Sequence, residues 1–163
     1  MAFPTRKSNR LNNFDYSHNG VYFVTVCTEN RLKLLSAITN GKEKIPLVKL
    51  SPIGTEVEKS ISYINENVHG VTIENFVIMP NHIHLIVILD LEQTRTLSLA
   101  DVIGRLKSFT NKRFNQIQGI QNAILWQRSY YDHVIRDEED YGNIWDYIDR
   151  NPVMWLEDEY FAD

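Results

Sequence analysis

A single cysteine, Cys27, in 163 residues leaves no partner for an internal disulfide and excludes any multi-cysteine zinc or iron–sulfur site. That usage fits a reducing cytoplasm, and a lone thiol in an apolar strand reads as core. No apolar run is long enough to cross a bilayer, since the longest, around Phe76 to Leu89, is broken by Pro80, Asn81 and two histidines. The N-terminal MAFPTRKSNRLNN has no apolar h-region, so no secretory signal and no membrane partner are expected. Repeats, low-complexity tracts and long linkers are missing too, which points to one domain over residues 1–163 with 1–20 as a basic arm. Basic side chains are scarce only at the C-terminal end. Residues 137–163 hold ten acids and one base, net −9, whereas residues 1–136 hold eleven acids and sixteen bases, net +5. The body therefore permits phosphate binding despite a formal net charge of −4, while a merely solvated acidic terminus is the simpler account of the tail.

With 43% hydrophobic and 11% aromatic residues, the chain can bury a substantial core. VYFVTVCT, from Val21 to Thr28, is rich in β-branched and aromatic residues and reads as the first strand. A short hairpin follows with its turn at Asn40-Gly41. Ser51-Pro52 then sets an N-cap and a first-turn proline, and Ile53, Val57, Ile61 and Ile64 recur at helical spacing. Val71 to Met79 and His82 to Leu89 read as strands joined at Pro80-Asn81. A second helix is expected from Ser98 to Asn115, with Leu99, Val102, Leu106 and Phe109 inward and Arg105, Lys107, Lys112 and Arg113 outward. SYYDHVIR, from Ser129 to Arg136, is a last strand, and DEEDYGNIWDYIDRN a final helix with an acidic first turn. The order β-α-β-β-α-β plus a C-terminal helix predicts an α+β, ferredoxin-like antiparallel sheet, with helices on one face and the other face free for a site.

PNHIHLIVIL, from Pro80 to Leu89, places two histidines one residue apart at the start of a strand. Alternation projects His82 and His84 from the same face, which suits paired ligation of a cation and equally suits two polar residues on a wet face. In WDYIDRNP, Tyr147 and Asn151 are four apart and share one helical face. An amide oxygen is a plausible third ligand beside two imidazoles; alternatively, Asn151 before Pro152 caps a new turn and Tyr147 is a packed aromatic.

PNHIHLIV, LWQRSYYDHVIRDEEDY and YIDRNPVMW, preceded by RKSNRLNNFDYSHNGVYFVTVCTENR, closely resemble the REP-associated tyrosine transposases, relatives of the single-strand insertion-sequence transposases in the HUH endonuclease superfamily. The resemblance spans about Arg6 to Trp155. It implies that His82 and His84 bind a divalent metal, that Tyr147 is the catalytic tyrosine, and that Asn151 completes the metal site. It also implies single-stranded DNA folded into hairpins as substrate, and either a monomer or a homodimer as the working state.

The chemistry is coherent on its own terms. A phosphodiester repels nucleophiles, and a cation on its non-bridging oxygens offsets that charge. Neutral ligands leave the cation its full pull. Nitrogen donors favour Mn2+ while abundance favours Mg2+, and either is expected to work. A phenol of ordinary pKa near about 10 needs activation before it attacks to give a 5′-phosphotyrosine and a free 3′-hydroxyl. Candidate phosphate contacts are Arg6, Lys7, Arg10, Arg105, Lys107, Lys112, Arg113 and Arg128, any of which is also an ordinary surface charge. Trp126 is read either as a stacking platform for an unpaired base or as core. Asp132 and His133 are candidates to orient a ligand histidine. The competing reading is a hairpin-DNA or RNA-binding module of the same fold that does not cut. The lack of aromatics in HLIVIL counts against the RNA version.

Overall fold

The computed structural model describes residues 19–94 and 96–155. Its elements run β1 (Asn19–Cys27), β2 (Ser36–Asn40), β3 (Pro46–Leu50), α1 (Pro52–Asn67), β4 (Val71–Ile78), β5 (His82–Asp90), α2 (Leu99–Gln118), β6 (Tyr131–Val134) and α3 (Glu138–Arg150). β4, β5, β1 and β6 lie side by side in that order with every pair antiparallel, and β2 and β3 form a separate two-stranded sheet. This is the predicted ferredoxin-like order with a hairpin inserted after the first strand.

Helix ends follow local chemistry. The Ser51 hydroxyl accepts from Gly54 N–H at 3.1 Å and Pro52 opens α1. Ser98 and Asp101 form a reciprocal capping box at the start of α2, and Gly119 ends that helix at φ +65°, a left-handed conformation that glycine adopts without penalty. The inserted hairpin departs from the expected Asn40-Gly41 turn. Ile38 pairs with Val48 and sets the register, so Asn40 faces Pro46 across a five-residue loop.

Two apolar layers sandwich the main sheet. α1 and α2 bury Ile53, Val57, Ile61, Ile64, Val102, Ile103 and Leu106 against Val24, Val26, Ile83, Leu85 and Val87. On the opposite face α3 packs Tyr141, Ile144, Trp145 and Ile148 against Val21, Phe23, Ile86, Ile88 and Ile135. The final helix thus occupies the face left open by the other two. Phe109 is not inward as expected but 49% exposed, because Thr110 takes the core position. The Thr110 hydroxyl donates to Leu106 O at 2.7 Å and accepts from the Trp126 indole N–H at 2.8 Å, which a phenyl ring could not do. No helix among the described residues is long and apolar enough to cross a membrane.

Ile148 is fully buried and anchors α3 to the sheet. Ile148→Ala is expected to destabilise the protein by about 2–5 kcal/mol, read as a lower urea midpoint at unchanged slope.

Candidate active site

β1 and β5 pair in register, Cys27 with His82, Thr25 with His84 and Phe23 with Ile86. Alternation puts Phe23, Thr25, Cys27, His82 and His84 on the face covered by α3. Both imidazoles are buried, at 0% and 1% exposure, so the wet-face reading of the pair does not hold. Their Nε2 atoms are 3.1 Å apart. Each remote nitrogen has a partner: His82 Nδ1 lies 2.8 Å from Asn81 Oδ1 and His84 Nδ1 lies 2.7 Å from Thr25 Oγ1. Donation from His82 Nδ1–H to the Asn81 oxygen leaves a lone pair on His82 Nε2. The Thr25 hydroxyl both donates and accepts, so it supports either tautomer of His84.

α3 delivers the remaining groups. Asn151 caps its C-terminal end in right-handed helical geometry, not in the extended geometry of an N-cap for the turn that follows through residue 154, and is buried. Its Nδ2–H donates to Tyr147 O at 2.9 Å, which turns Oδ1 inward, where that atom is buried without a hydrogen bond. It faces both imidazoles and favours their charged forms. The Tyr147 ring lies over His84 with centroids 5.2 Å apart and meets Phe23 edge-on at 5.9 Å, while remaining 42% exposed. Trp155 stacks on His82 at 6.2 Å.

Burial dominates the electrostatics. It pushes the His82 imidazolium down to about 3, opposed by Asn151 and reinforced by the charge of Arg31. His84 is held well below its ordinary value by burial and then by His82. Both rings are therefore neutral near pH 7 and available as donors. No third His, Cys, Asp or Glu joins them in a metal-binding group among the described residues, so the natural third donor is the unsatisfied Asn151 Oδ1. Adjacent ligands about 2.1 Å from one octahedral cation lie about 3.0 Å apart. The observed Nε2 separation fits that requirement.

Other expected contacts fare unevenly. Arg6, Lys7 and Arg10 lie outside the described residues. Trp126 is 3% exposed and bonded to Thr110, so it is core and not a stacking platform. Lys107 Nζ donates to Gln127 O at 2.7 Å and Arg128 O at 2.9 Å, holding the connection into β6. Arg113 pairs with buried Glu56 at 3.1 Å and ties α2 to α1. Arg105 and Lys112 border a groove of about 640 Å³ on the outer side of α2, the layer opposite the histidines. Arg128 is exposed. Asp132 pairs across from Val24 and so points to the α1–α2 face, while His133 bonds Asp140 of α3 at 2.8 Å. Neither orients the histidine pair. Thr25 and Asn81 do, and these were missed because strand pairing, not spacing, brings Thr25 to His84.

The family model described as IS200-like transposase matches residues 17–151, and the chain belongs to that family, as the resemblance to the REP-associated tyrosine transposases implied. It is accordingly a DNA nicking and joining enzyme. An uncharacterized protein of Haemophilus influenzae is 30% identical over 97% of this chain and 94% of its own length. A second protein of that organism, provisionally named a REP-associated tyrosine transposase, is 29% identical over 85% of this chain and 73% of its own. In fold, the chain resembles a solved REP-associated tyrosine transposase bound to a REP hairpin, with TM-score 0.58, 24% identity, and coverage of 83% of this chain and 68% of that one. It also resembles a provisionally assigned transposase from Deinococcus radiodurans, with TM-score 0.50, 18% identity, and coverage of 80% and 88%.

The depressed histidines make stability depend on pH. Below the ordinary value of 6.5 the unfolded chain takes up protons that the folded metal-free protein refuses until His82 titrates at about 3. Stability is expected to be flat in this respect above pH 6.5 and to fall progressively below it. Urea unfolding from pH 8 to pH 5 checks this, with His82→Gln reducing the slope.

Proposed function

We propose that this chain cuts and rejoins single-stranded DNA beside imperfect palindromic hairpins, with Tyr147 as nucleophile and a divalent cation, Mg2+ or Mn2+, held by His82, His84 and Asn151. The whole chain is read as one catalytic domain whose basic N-terminal arm, with Arg6, Lys7 and Arg10, contacts phosphates. The observation that carries the reading is the convergence, within one chain, of two neutral imidazole nitrogens and an unsatisfied amide oxygen beneath the Tyr147 ring. That the solved structure of similar fold is bound to a REP hairpin supports a hairpin as the partner.

When bound, the cation supplies charge neutralisation at a non-bridging phosphate oxygen. The chain's own residues do the rest. His82 and His84, held by Asn81 and Thr25, present fixed lone pairs and add no negative charge to repel the phosphate. Phe23 and His84 hold the Tyr147 ring edge and face, while its partial exposure leaves room for a strand of DNA to approach. Tyr147 Oη loses its proton and bonds to phosphorus; the P–O3′ bond breaks, and the departing oxygen takes up a proton as the 3′-hydroxyl. The phosphotyrosine conserves the bond energy, so reversal by another 3′-hydroxyl joins strands without an external energy source. Because Tyr147 stands over the histidines of its own chain, a monomer contains every group the cutting step needs.

The protein incubated with labelled single-stranded hairpin DNA and Mn2+ is expected to form a denaturant-resistant adduct. Chelator should abolish it, as should Tyr147→Phe, which retains the ring and should keep stability within about 0.5 kcal/mol. Absence of a Tyr147-dependent adduct would refute the assignment. Thr25→Val is expected to weaken Mn2+ binding by about 10–100-fold in a direct titration, with Thr25→Ser near wild type.

A further inference from the structure

We infer that Tyr131 is a base-stacking residue of the DNA site, its exposed ring receiving an unpaired base next to the phosphate held at the His82–His84 centre. The inference rests on the cutting chemistry proposed above and adds to it a group that positions the strand.

Two tyrosines, Tyr130 and Tyr131, stand side by side in the sequence, and alternation sends them to opposite faces of the sheet. Tyr130 packs against the core beneath α1 and α2. Tyr131 opens β6 on the α3 side and is 56% exposed. Among the described residues, the other aromatic side chains of comparable exposure are Tyr63, Phe109 and Tyr147. Tyr63 belongs to α1 and Phe109 to α2, the layer opposite the histidines. Of these four open rings, Tyr131 and Tyr147 are the two on the side of the site.

Strand register fixes how near Tyr131 stands. Thr25 of β1 pairs with His84 on one side and with Tyr131 on the other, so the three side chains form one row across β5, β1 and β6. With neighbouring strands about 4.8 Å apart, the Tyr131 and His84 backbones are separated by about 10 Å. Phe23 lies between the rings: its centroid is 5.2 Å from His84, 5.9 Å from Tyr147 and 6.4 Å from Tyr131, the last at an interplanar angle of 71°. Tyr131 and Tyr147 thus flank the same buried phenyl ring, and a strand whose phosphate lies over the imidazoles can set its next base on Tyr131. No further strand among the described residues lies beyond β6 at that edge of the sheet. The approach to β6 is itself held in place, since Gln127 N–H donates to Cys27 O at 2.9 Å.

The reaction supplies the reason for a platform there. In-line attack needs the P–O3′ bond opposite the Tyr147 hydroxyl, and a cation on the non-bridging oxygens leaves the flanking nucleotides free to rotate about that phosphate. Seating the neighbouring base removes that freedom. Stacking on an aromatic ring is tolerant of base identity, because every base has a π-face, and it is open to a base that is not already stacked in a duplex. Tyr131 thereby favours an unpaired flank over a paired stem without reading its sequence.

Tyr131→Ile is the decisive variant, because it keeps a β-branched strand former beside Thr25 and Phe23 and removes the π-face. Its melting temperature and its Mn2+ affinity in a direct titration should match the wild type, while its rate of adduct formation at limiting hairpin DNA should fall roughly tenfold or more. Tyr131→Phe, which retains the π-face, should restore the rate. An abasic site at the flanking nucleotide should slow the wild type by the same factor and slow Tyr131→Ile no further, since both changes remove one contact. A readout that needs no cutting uses Tyr147→Phe protein and hairpin DNA with 2-aminopurine placed singly along its unpaired flank. Fluorescence at one position should be quenched on binding, and adding Tyr131→Ile should abolish that quenching. Tyr131→Ile reacting at the wild-type rate or losing rate only in step with melting temperature or Mn2+ affinity, Tyr131→Phe as slow as Tyr131→Ile, or effects of Tyr131→Ile and the abasic site that multiply would overturn the inference and leave the Tyr147 assignment intact. Quenching that depends on Tyr131 in a protein that forms no adduct would refute the cutting chemistry alone.

Discussion

Strand β5 runs through the molecule with an apolar layer on each side. Ile83, Leu85, Val87 and Leu89 enter the core beneath α1 and α2, whereas His82, His84, Ile86 and Ile88 face α3. Because side chains alternate strictly, the imidazoles cannot leave the α3 layer unless the whole strand slips by one residue and carries four aliphatic side chains out of the first core. The sheet thereby fixes the positions of the two donors, and the desolvation it imposes keeps them neutral.

α3 answers the same layer from the other side. Tyr141, Ile144, Trp145 and Ile148 recur at helical spacing and dock on Val21, Phe23, Ile86 and Ile88. That docking sets the height and rotation of the helix, and with it the neighbouring Tyr147 ring and the Asn151 carboxamide one turn beyond. Asn75 of β4 adds a bond to Asp149 at 3.2 Å on the far edge. The phenol stands half-open at the surface while the amide oxygen beneath it is buried and unsatisfied, a division of labour suited to admitting a polymer above and a cation below.

A ferredoxin-like sheet by itself says little about activity, since that fold hosts many. What distinguishes this one is where polar atoms are left incomplete. The Asn151 oxygen lies next to two imidazoles whose remote nitrogens are already committed to Asn81 and Thr25. Family membership gives the reaction class. By contrast, Arg105 and Lys112 lie on the layer opposite the histidines, so DNA held at the centre would reach them only by passing around a sheet edge.

Much of this was written into local patterns. Helical periodicity in Ile53, Val57, Ile61 and Ile64, the caps at Ser51 and Ser98, and alternation along β1 and β5 are properties of neighbouring residues, and they determined the elements, the element order and the shared face of His82 and His84. Spacing also brought Tyr147 and Asn151 to one side of α3. The burial of those histidines, the choice of Thr25 as the partner of His84 and the retreat of Trp126 into the core depend on which strands pair and which face each helix covers. Those contacts join residues up to 59 positions apart, as Thr25 and His84 are, and no local preference encodes them. Only the closed sheet, with an apolar layer on both sides, decides them.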